Sequence, residues 1–118
     1  MYELVFWKYI DGVYLNNHLV YEAILNNEIV EGLDEIPIII ILNRIQNSFS
    51  DWEKVDENSW KNSIGSGAFQ IKFTAQSVKI DCYGTQGKHM EMLVNIIEEF
   101  KYLLYDPQIP IRYDEFQE

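Results

Sequence analysis

The reactive side chains of this sequence are concentrated in CYGTQGKHM, residues 82–90. The stretch holds the one cysteine of the chain, one of its two histidines and a Gly-x-x-Gly-Lys run. Such residues serve three chemistries: nucleophilic catalysis by a cysteine with a histidine base, phosphate binding by a glycine-rich loop, and clamping of an RNA backbone. The spacing and the surroundings argue against each of them.

The glycine spacing does not fit a phosphate-binding loop. That loop needs four residues between its glycines, followed by Lys and a hydroxyl residue that binds magnesium. Here two residues separate Gly84 from Gly87, and His89 occupies the hydroxyl position. The RNA-clamping loop works among basic neighbours, whereas this chain is acidic. We therefore predict that the two glycines only form the turn between a strand and a helix.

Cys82 belongs to an alternating strand pattern, SVKIDCY, in which it shares a face with Val78 and Ile80. A cysteine on the apolar face of a strand behaves as a small buried hydrophobe. One cysteine and two distant histidines also do not supply the ligand spacing of a zinc site. We predict a protein that is not an enzyme and has no catalytic residue, no metal and no cofactor.

The charge of the chain indicates its partner. Nineteen acidic residues face nine lysines and arginines, and no lysine or arginine lies between Lys8 and Arg44. An acidic surface repels nucleic acid and anionic membrane and attracts cationic proteins. Adjacent acids such as Asp56 and Glu57 do not provide the separated carboxylates of a hydrolase. We expect a basic protein partner; the alternative is that the acids serve solubility alone.

Aromatic residues lie among these acids, which is the composition of a protein interface with apolar anchors and a charged rim. Trp52 and Trp60 are the expected anchors. The predicted partner-binding residues are Glu28, Glu31, Asp34, Glu35, Asp51, Trp52, Glu53, Asp56, Glu57, Trp60, Asp106, Asp114 and Glu115.

The first half of the chain predicts one strand and two helices. YELVFWKYI reads as a buried strand, and a helix over about residues 17–27 follows, capped by the Asn16-Asn17 pair. Pro37 is expected in the first turn of a second helix with Ile41, Ile45 and Phe49 on one face, although its four consecutive isoleucines also suit a strand. Residues 51–67 are polar and predict a loop, with a short edge strand as the alternative.

The second half predicts a hairpin, a helix and an edge strand. FQIKFT and SVKIDCY close in a register that sets Phe73 opposite Val78, Ile71 opposite Ile80 and Phe69 opposite Cys82. The other face sets Lys72 against Lys79, which is unfavourable unless an acid lies nearby. A helix follows over about residues 88–102. Residues 103–111 contain two prolines and suit a sheet edge.

These elements predict one α+β domain over residues 1–118, whose last five or so residues are loosely held. The order is that of a ferredoxin-like βαββαβ fold: a four-stranded, mainly antiparallel sheet whose first helical limb is split in two. No apolar run reaches the ~18 residues that cross a bilayer. The N-terminal MYELVF carries an acid where a secretory signal carries basic residues, so we expect a cytoplasmic protein.

The acidic, aromatic stretches FSDWEKVDE and LLYDPQ, in a small acidic α/β chain, resemble the immunity proteins of bacterial polymorphic-toxin and contact-dependent growth-inhibition systems. The resemblance implies a protein that binds one cognate toxin domain, often a basic nuclease, and blocks its active site or substrate groove. The alternative function is a regulatory domain that senses a small molecule on its open sheet face, through Gln70, Lys72, Lys79 and Asp81.

Overall fold

The computed structural model describes residues 1–113. Within them lie seven strands and three helices. The strands are β1 (Tyr2–Trp7), β2 (Glu53–Asp56), β3 (Ser59–Lys61), β4 (Ala68–Phe73), β5 (Ser77–Tyr83), β6 (Leu103–Asp106) and β7 (Ile111–Arg112). The helices are α1 (Asn17–Leu25), α2 (Ile38–Ser48) and α3 (Gly87–Glu98). None of these helices has the length and hydropathy that crossing a bilayer requires.

The strands form one sheet in the order β2-β3-β4-β5-β1-β6-β7, and every neighbouring pair is antiparallel. The predicted hairpin register is confirmed. Phe69 pairs with Cys82, Ile71 with Ile80 and Phe73 with Val78, and Lys72 lies opposite Lys79. Because side chains alternate between the two faces of a strand, this register places Ile71, Ile80 and Cys82 on one face.

The predicted four-stranded ferredoxin-like sheet is wrong, although the α+β class is right. Three further strands extend the sheet: β2 and β3 at one edge, and β7 at the other. The helices also lie on both faces of the sheet. Buried residues of α2 and α3 pack with Leu4 and Phe6 of β1. Buried residues of α1 pack with the intervening Val5 and Trp7 on the opposite face.

Local sequence signals account for where α1 and α2 begin, whereas the end of α3 differs from the prediction. The side chain of Asn16 accepts a hydrogen bond from the amide of Leu19 at 3.1 Å, which confirms the predicted cap of α1. Helix α2 begins directly after Pro37 and buries Ile41 and Ile45, so the isoleucine run is helical. Helix α3 ends at Glu98, short of the predicted residue 102.

Strands β2 and β3 come from the polar segment that we predicted as a loop. Trp60 of β3 is only 1% exposed, and its ring stacks on Phe69 of β4 with centroids 5.3 Å apart. The carboxylate of Asp56 accepts a hydrogen bond from the amide of Asn58 at 2.9 Å and closes the turn between the strands. Burial of one large ring therefore attaches an otherwise polar hairpin to the sheet.

The C-terminal segment pairs as predicted, but not as the outermost strand. Strand β6 pairs with β1, and β7 lies outside it, so the two prolines fall in the turn between β6 and β7. Nη2 of Arg112 in β7 donates to the carbonyl oxygen of Trp7 at 2.6 Å. The loosely held C-terminus that we predicted, with Asp114 and Glu115, lies outside the described residues.

The burial of Trp60 gives a stability prediction. Replacing Trp60 with alanine removes the ring that holds β3 on β4, and we expect a loss of about 3–5 kcal/mol in the free energy of unfolding. Chemical denaturation followed by circular dichroism measures it. Val55→Ala in the exposed strand β2 is the control and should change stability by less than about 0.5 kcal/mol. Equal effects of the two substitutions would show that the ring is not part of the core.

Candidate partner-binding surface

Cys82 is buried in the sheet, as predicted, and is poorly suited to catalysis. Desolvation by burial raises the pKa of its thiol to about 11, an effect that a hydrogen bond with Thr85 only partly offsets. A thiol nucleophile needs the opposite shift, because the thiolate is the reactive form. Thr85 also donates through Oγ1 to the carbonyl of Ala68 at 2.7 Å, which secures the glycine-containing turn to β4.

His89 packs in an aromatic cluster. Its ring lies edge-on to Trp52, with centroids 4.9 Å apart, and 6.3 Å from the ring of Phe49. Within residues 1–113 no hydrogen bond joins it to Cys82, and no three His, Cys, Asp or Glu side chains are placed to hold a metal ion. The stretch that carries the most reactive residue types is therefore built as a turn and a helix start.

The sheet face that α1 partly covers carries a network of charges. Asp81 is 1% exposed; Oδ1 lies 2.9 Å from Nζ of Lys79, and Oδ2 lies 3.3 Å from Nζ of Lys72. Nζ of Lys79 is also 3.2 Å from Oε1 of Glu3. Asp81 is thus the acid that makes the Lys72–Lys79 juxtaposition tolerable.

Hydrogen bonds in this network favour the charged form of Lys79. Burial alone would lower the pKa of Lys79, but hydrogen bonds to Asp81 and Glu3 outweigh it and raise the pKa above its ordinary value. The hydroxyl of Tyr21 in α1 donates to Glu3 at 3.0 Å, and burial together with this bond raises its pKa to about 12. The structure brings together Lys72, Lys79 and Asp81, as predicted, and pairs Gln70 opposite Asp81. The two lysines are neutralised by Asp81 and Glu3.

Two expectations about the partner-binding residues need correction. Trp52 and Trp60 are 8% and 1% exposed, so both rings belong to the protein's own core and neither is free to insert into a partner. Asp106 is also buried. It accepts hydrogen bonds from the hydroxyl of Tyr2 and from the amide of Gln108, and so shapes the β6–β7 turn.

The acids at the start of the β2–β3 hairpin remain exposed. Asp51, Glu53, Asp56 and Glu57, here called the acidic hairpin, are all solvent-exposed. Within residues 1–113, no lysine or arginine makes an ion pair with any of the four. Some other acids do pair, since Glu99 pairs with Arg44 at 2.6 Å and Asp34 with Lys8 at 3.8 Å. The four carboxylates therefore form no ion pair within residues 1–113, although Lys61 lies opposite Glu53 in the β2–β3 register.

The remaining predicted acids lie elsewhere. Glu28, Glu31, Asp34 and Glu35 belong to the loop that joins α1 to α2. This loop is held near the β4–β5 turn, because Gln76 accepts from the amide of Val30 at 2.9 Å. The acidic hairpin instead lies beyond β3, which pairs with β2 on one side and with residues 68–70, at the opposite end of β4, on the other. The structure therefore separates the predicted site into two acidic surfaces.

Two exposed apolar side chains accompany the acidic hairpin, and neither was predicted from the sequence. Val55 lies on β2 between the acids, and Ile64, in the β3–β4 loop, is 93% exposed. The hydroxyl of Ser63 donates to the carbonyl of Asp51 at 2.7 Å, which holds this loop beside the start of the hairpin. An isoleucine isolated in the polar run NSIGSG was the available signal.

Comparison with protein-family models gives no match, and comparison with curated protein sequences gives none either. The resemblance to immunity proteins therefore has no support from sequence relatives.

The environment of Cys82 predicts slow chemical modification. At pH 8 a thiol-specific disulfide reagent should label the folded protein far more slowly than the denatured protein, because the thiol is buried and its pKa is raised. The time course of absorbance measures the labelling rate. Labelling of the native protein at the rate of a free thiol would contradict this burial.

Removing Asp81 should strongly destabilise the fold. Asp81→Ala leaves two lysine ammonium groups without their shared carboxylate, and loss of one partner of a buried pair costs about 3–5 kcal/mol. Glu99→Ala breaks an exposed ion pair and should cost less than about 1 kcal/mol. Urea unfolding of the two variants compares them, and similar midpoints would contradict a structural role for the network.

Proposed function

We propose that this protein is a toxin-neutralising immunity protein, which binds a cognate cationic toxin domain, a nuclease, and blocks its active site or substrate groove. The observation that carries the proposal is the acidic hairpin, in which four exposed carboxylates have no lysine or arginine partner within the described chain. A nuclease groove lined with lysine and arginine supplies the missing counterions.

Electrostatics explains how such a surface would work. Nuclease grooves bind phosphates through cationic side chains, and exposed carboxylates compete for the same groups. The net charge of −10 extends the attraction beyond direct contact, so encounter is fast at low salt and slower as salt screens it. Because the substrate of such a toxin is nucleic acid inside the cell, we propose that the protein acts in the cytoplasm.

The form of β2 favours recognition through side chains over strand addition. Edge strands that avoid pairing with other chains are short, charged and irregular. Strand β2 has four residues, carries Lys54, and its register with β3 shifts between Lys54 and Asp56. Val55 and Ile64 offer the apolar contact that the two buried tryptophans cannot.

The alternative, a small-molecule-sensing domain, has less support. The lysines that would hold a ligand already pair with Asp81 and Glu3. The neighbouring cavity, bounded by Ile24, Lys72, Phe73 and Lys79 among others, has a volume of about 220 Å³. Small-molecule sites usually exceed about 300 Å³. A ligand-dependent rise in melting temperature in the absence of any basic protein would favour this alternative.

Charge neutralisation tests the proposed surface. The quadruple variant Asp51→Asn, Glu53→Gln, Asp56→Asn, Glu57→Gln should bind the cognate basic domain about 100-fold more weakly at low salt, with a shallower salt dependence. Isothermal titration calorimetry at several salt concentrations measures both, and protection of cells that express the toxin should fall in parallel.

A matched control separates local contact from net charge. The variant Glu28→Gln, Glu31→Gln, Asp34→Asn, Glu35→Gln changes the charge by the same amount on the other acidic surface. We expect it to lose far less affinity. Equal losses would show that only net charge matters, and failure of the unaltered protein to bind or neutralise the basic domain would refute the proposed function.

A further inference from the structure

A shallow groove runs between α3 and the strands β1 and β6, with a volume of about 400 Å³. Its lining is largely apolar, with Leu4 from β1, Met90 and Val94 from α3, and Leu104 from β6. Met90 and Val94 are four residues apart and therefore lie on the same side of the helix. The groove thus exposes part of the main core at the surface, because Met90, Val94 and Leu104 all pack against that core.

Among residues 1–113, every charged residue that lines this groove is an acid. Glu91, Glu98 and Asp106 line it, and no described lysine or arginine does. Asp106 is engaged by the hydroxyl of Tyr2, whereas Glu91 and Glu98 make no ion pair within residues 1–113. The two glutamates are seven residues apart, about 10 Å along the helix. They therefore flank the apolar floor with negative charge.

The environment of Glu98 shows that it lacks a counterion. Burial raises the pKa of its carboxyl above the ordinary value, and no neighbouring cation opposes the effect. The next residue, Glu99, pairs with Arg44 at 2.6 Å. The two adjacent glutamates thus differ, because Glu99 forms an ion pair with Arg44 whereas Glu98 lines the apolar groove.

We propose that this groove binds a basic amphipathic segment of the protein partner, with apolar side chains on Leu4 and Val94 and lysine or arginine beside Glu91 and Glu98. The identity of that partner as the cationic toxin domain rests on the function proposed above. Lysine and arginine suit the position because their alkyl stems cover apolar surface while their charged ends reach the carboxylates.

Charge complementarity favours a cationic occupant over two others. The last five residues of the chain, DEFQE, contain three acids and no cation, so their composition does not supply a partner for Glu91 and Glu98. A second copy of the chain brings a net charge of −10, which disfavours its approach to the same acids. Only a cationic segment relieves the unpaired charge of Glu98 while covering the apolar floor.

Two pairs of matched variants test the proposal. Glu91→Gln with Glu98→Gln removes two charges of the groove, and Glu28→Gln with Glu31→Gln removes two exposed charges outside its lining as the control. Met90→Gln alters the apolar floor, and Met92→Gln is the control, since Met92 is exposed and does not line the groove. Thermal melts establish that each variant is folded.

Binding is measured by fluorescence anisotropy with two probes: the cognate basic domain, and a labelled amphipathic peptide of lysine and leucine. The groove variants should lower the affinity for both probes at least about tenfold, and the controls by less than about twofold. A counterpart peptide with glutamate in place of lysine should not bind. Equal affinities of groove variants and controls for both probes would overturn the proposal.

The two probes separate this inference from the proposed function. Groove-dependent binding of the peptide without binding of any toxin domain would support the groove and refute the immunity function. Binding of the toxin domain that ignores the groove variants would leave the function and overturn the groove. Self-association that is abolished by Met90→Gln, measured by analytical ultracentrifugation, would identify a second copy as the occupant and also overturn it.

Discussion

Strand β1 is buried on both faces of the sheet, and the arrangement of the other elements follows from it. Its last four residues, 4–7, are all apolar and buried, and alternate between the two faces. Burying each such side chain contributes about 1.5–3 kcal/mol, so neither face of the strand can be left to water. Helices α2 and α3 cover one face. Helix α1 covers the other face, where Tyr105 of the neighbouring strand β6 packs beside Val5 and Trp7.

Because the helices pack over the middle of the sheet, the edge strand β2 remains exposed. The β2–β3 hairpin is attached there by the ring of Trp60, and its outer strand is solvent-exposed throughout. Trp60, which we expected to contact a partner, thus attaches to the sheet the hairpin that carries the exposed acids. The groove beside α3 arises in a similar way, since α3 leaves part of the core beside β1 and β6 uncovered.

Features with a local cause could be predicted from the sequence. The β4–β5 register follows from strict alternation, the start of α1 from the Asn16 cap, and the burial of Cys82 from its place on an apolar strand face. The sequence also indicated that the adjacent charges of Lys72 and Lys79 require a nearby acid, and in the structure this acid is Asp81.

Features that depend on distant contacts could not be predicted. The apolar stripe with Val20 and Ile24 shows that α1 packs on something, but not which sheet face it covers. A tryptophan in a polar run looks the same whether it enters the protein's own core or a partner, and only the stacking of Trp60 on Phe69 distinguishes them. The groove joins residues about ninety positions apart, such as Leu4 and Val94, and left no local pattern.

Amide hydrogen exchange of the protein, free and bound to its cognate basic domain, tests the central claim most directly. The account predicts slower exchange on binding at residues 51–64, which contain the acidic hairpin and Ile64, and at residues 90–98 beside the groove. Exchange in α1 and in the loop over residues 28–35 should stay unchanged. Protection confined to α1 and that loop, or no protection anywhere, would contradict the claim that the exposed carboxylates of the sheet edge and of α3 form the binding surface.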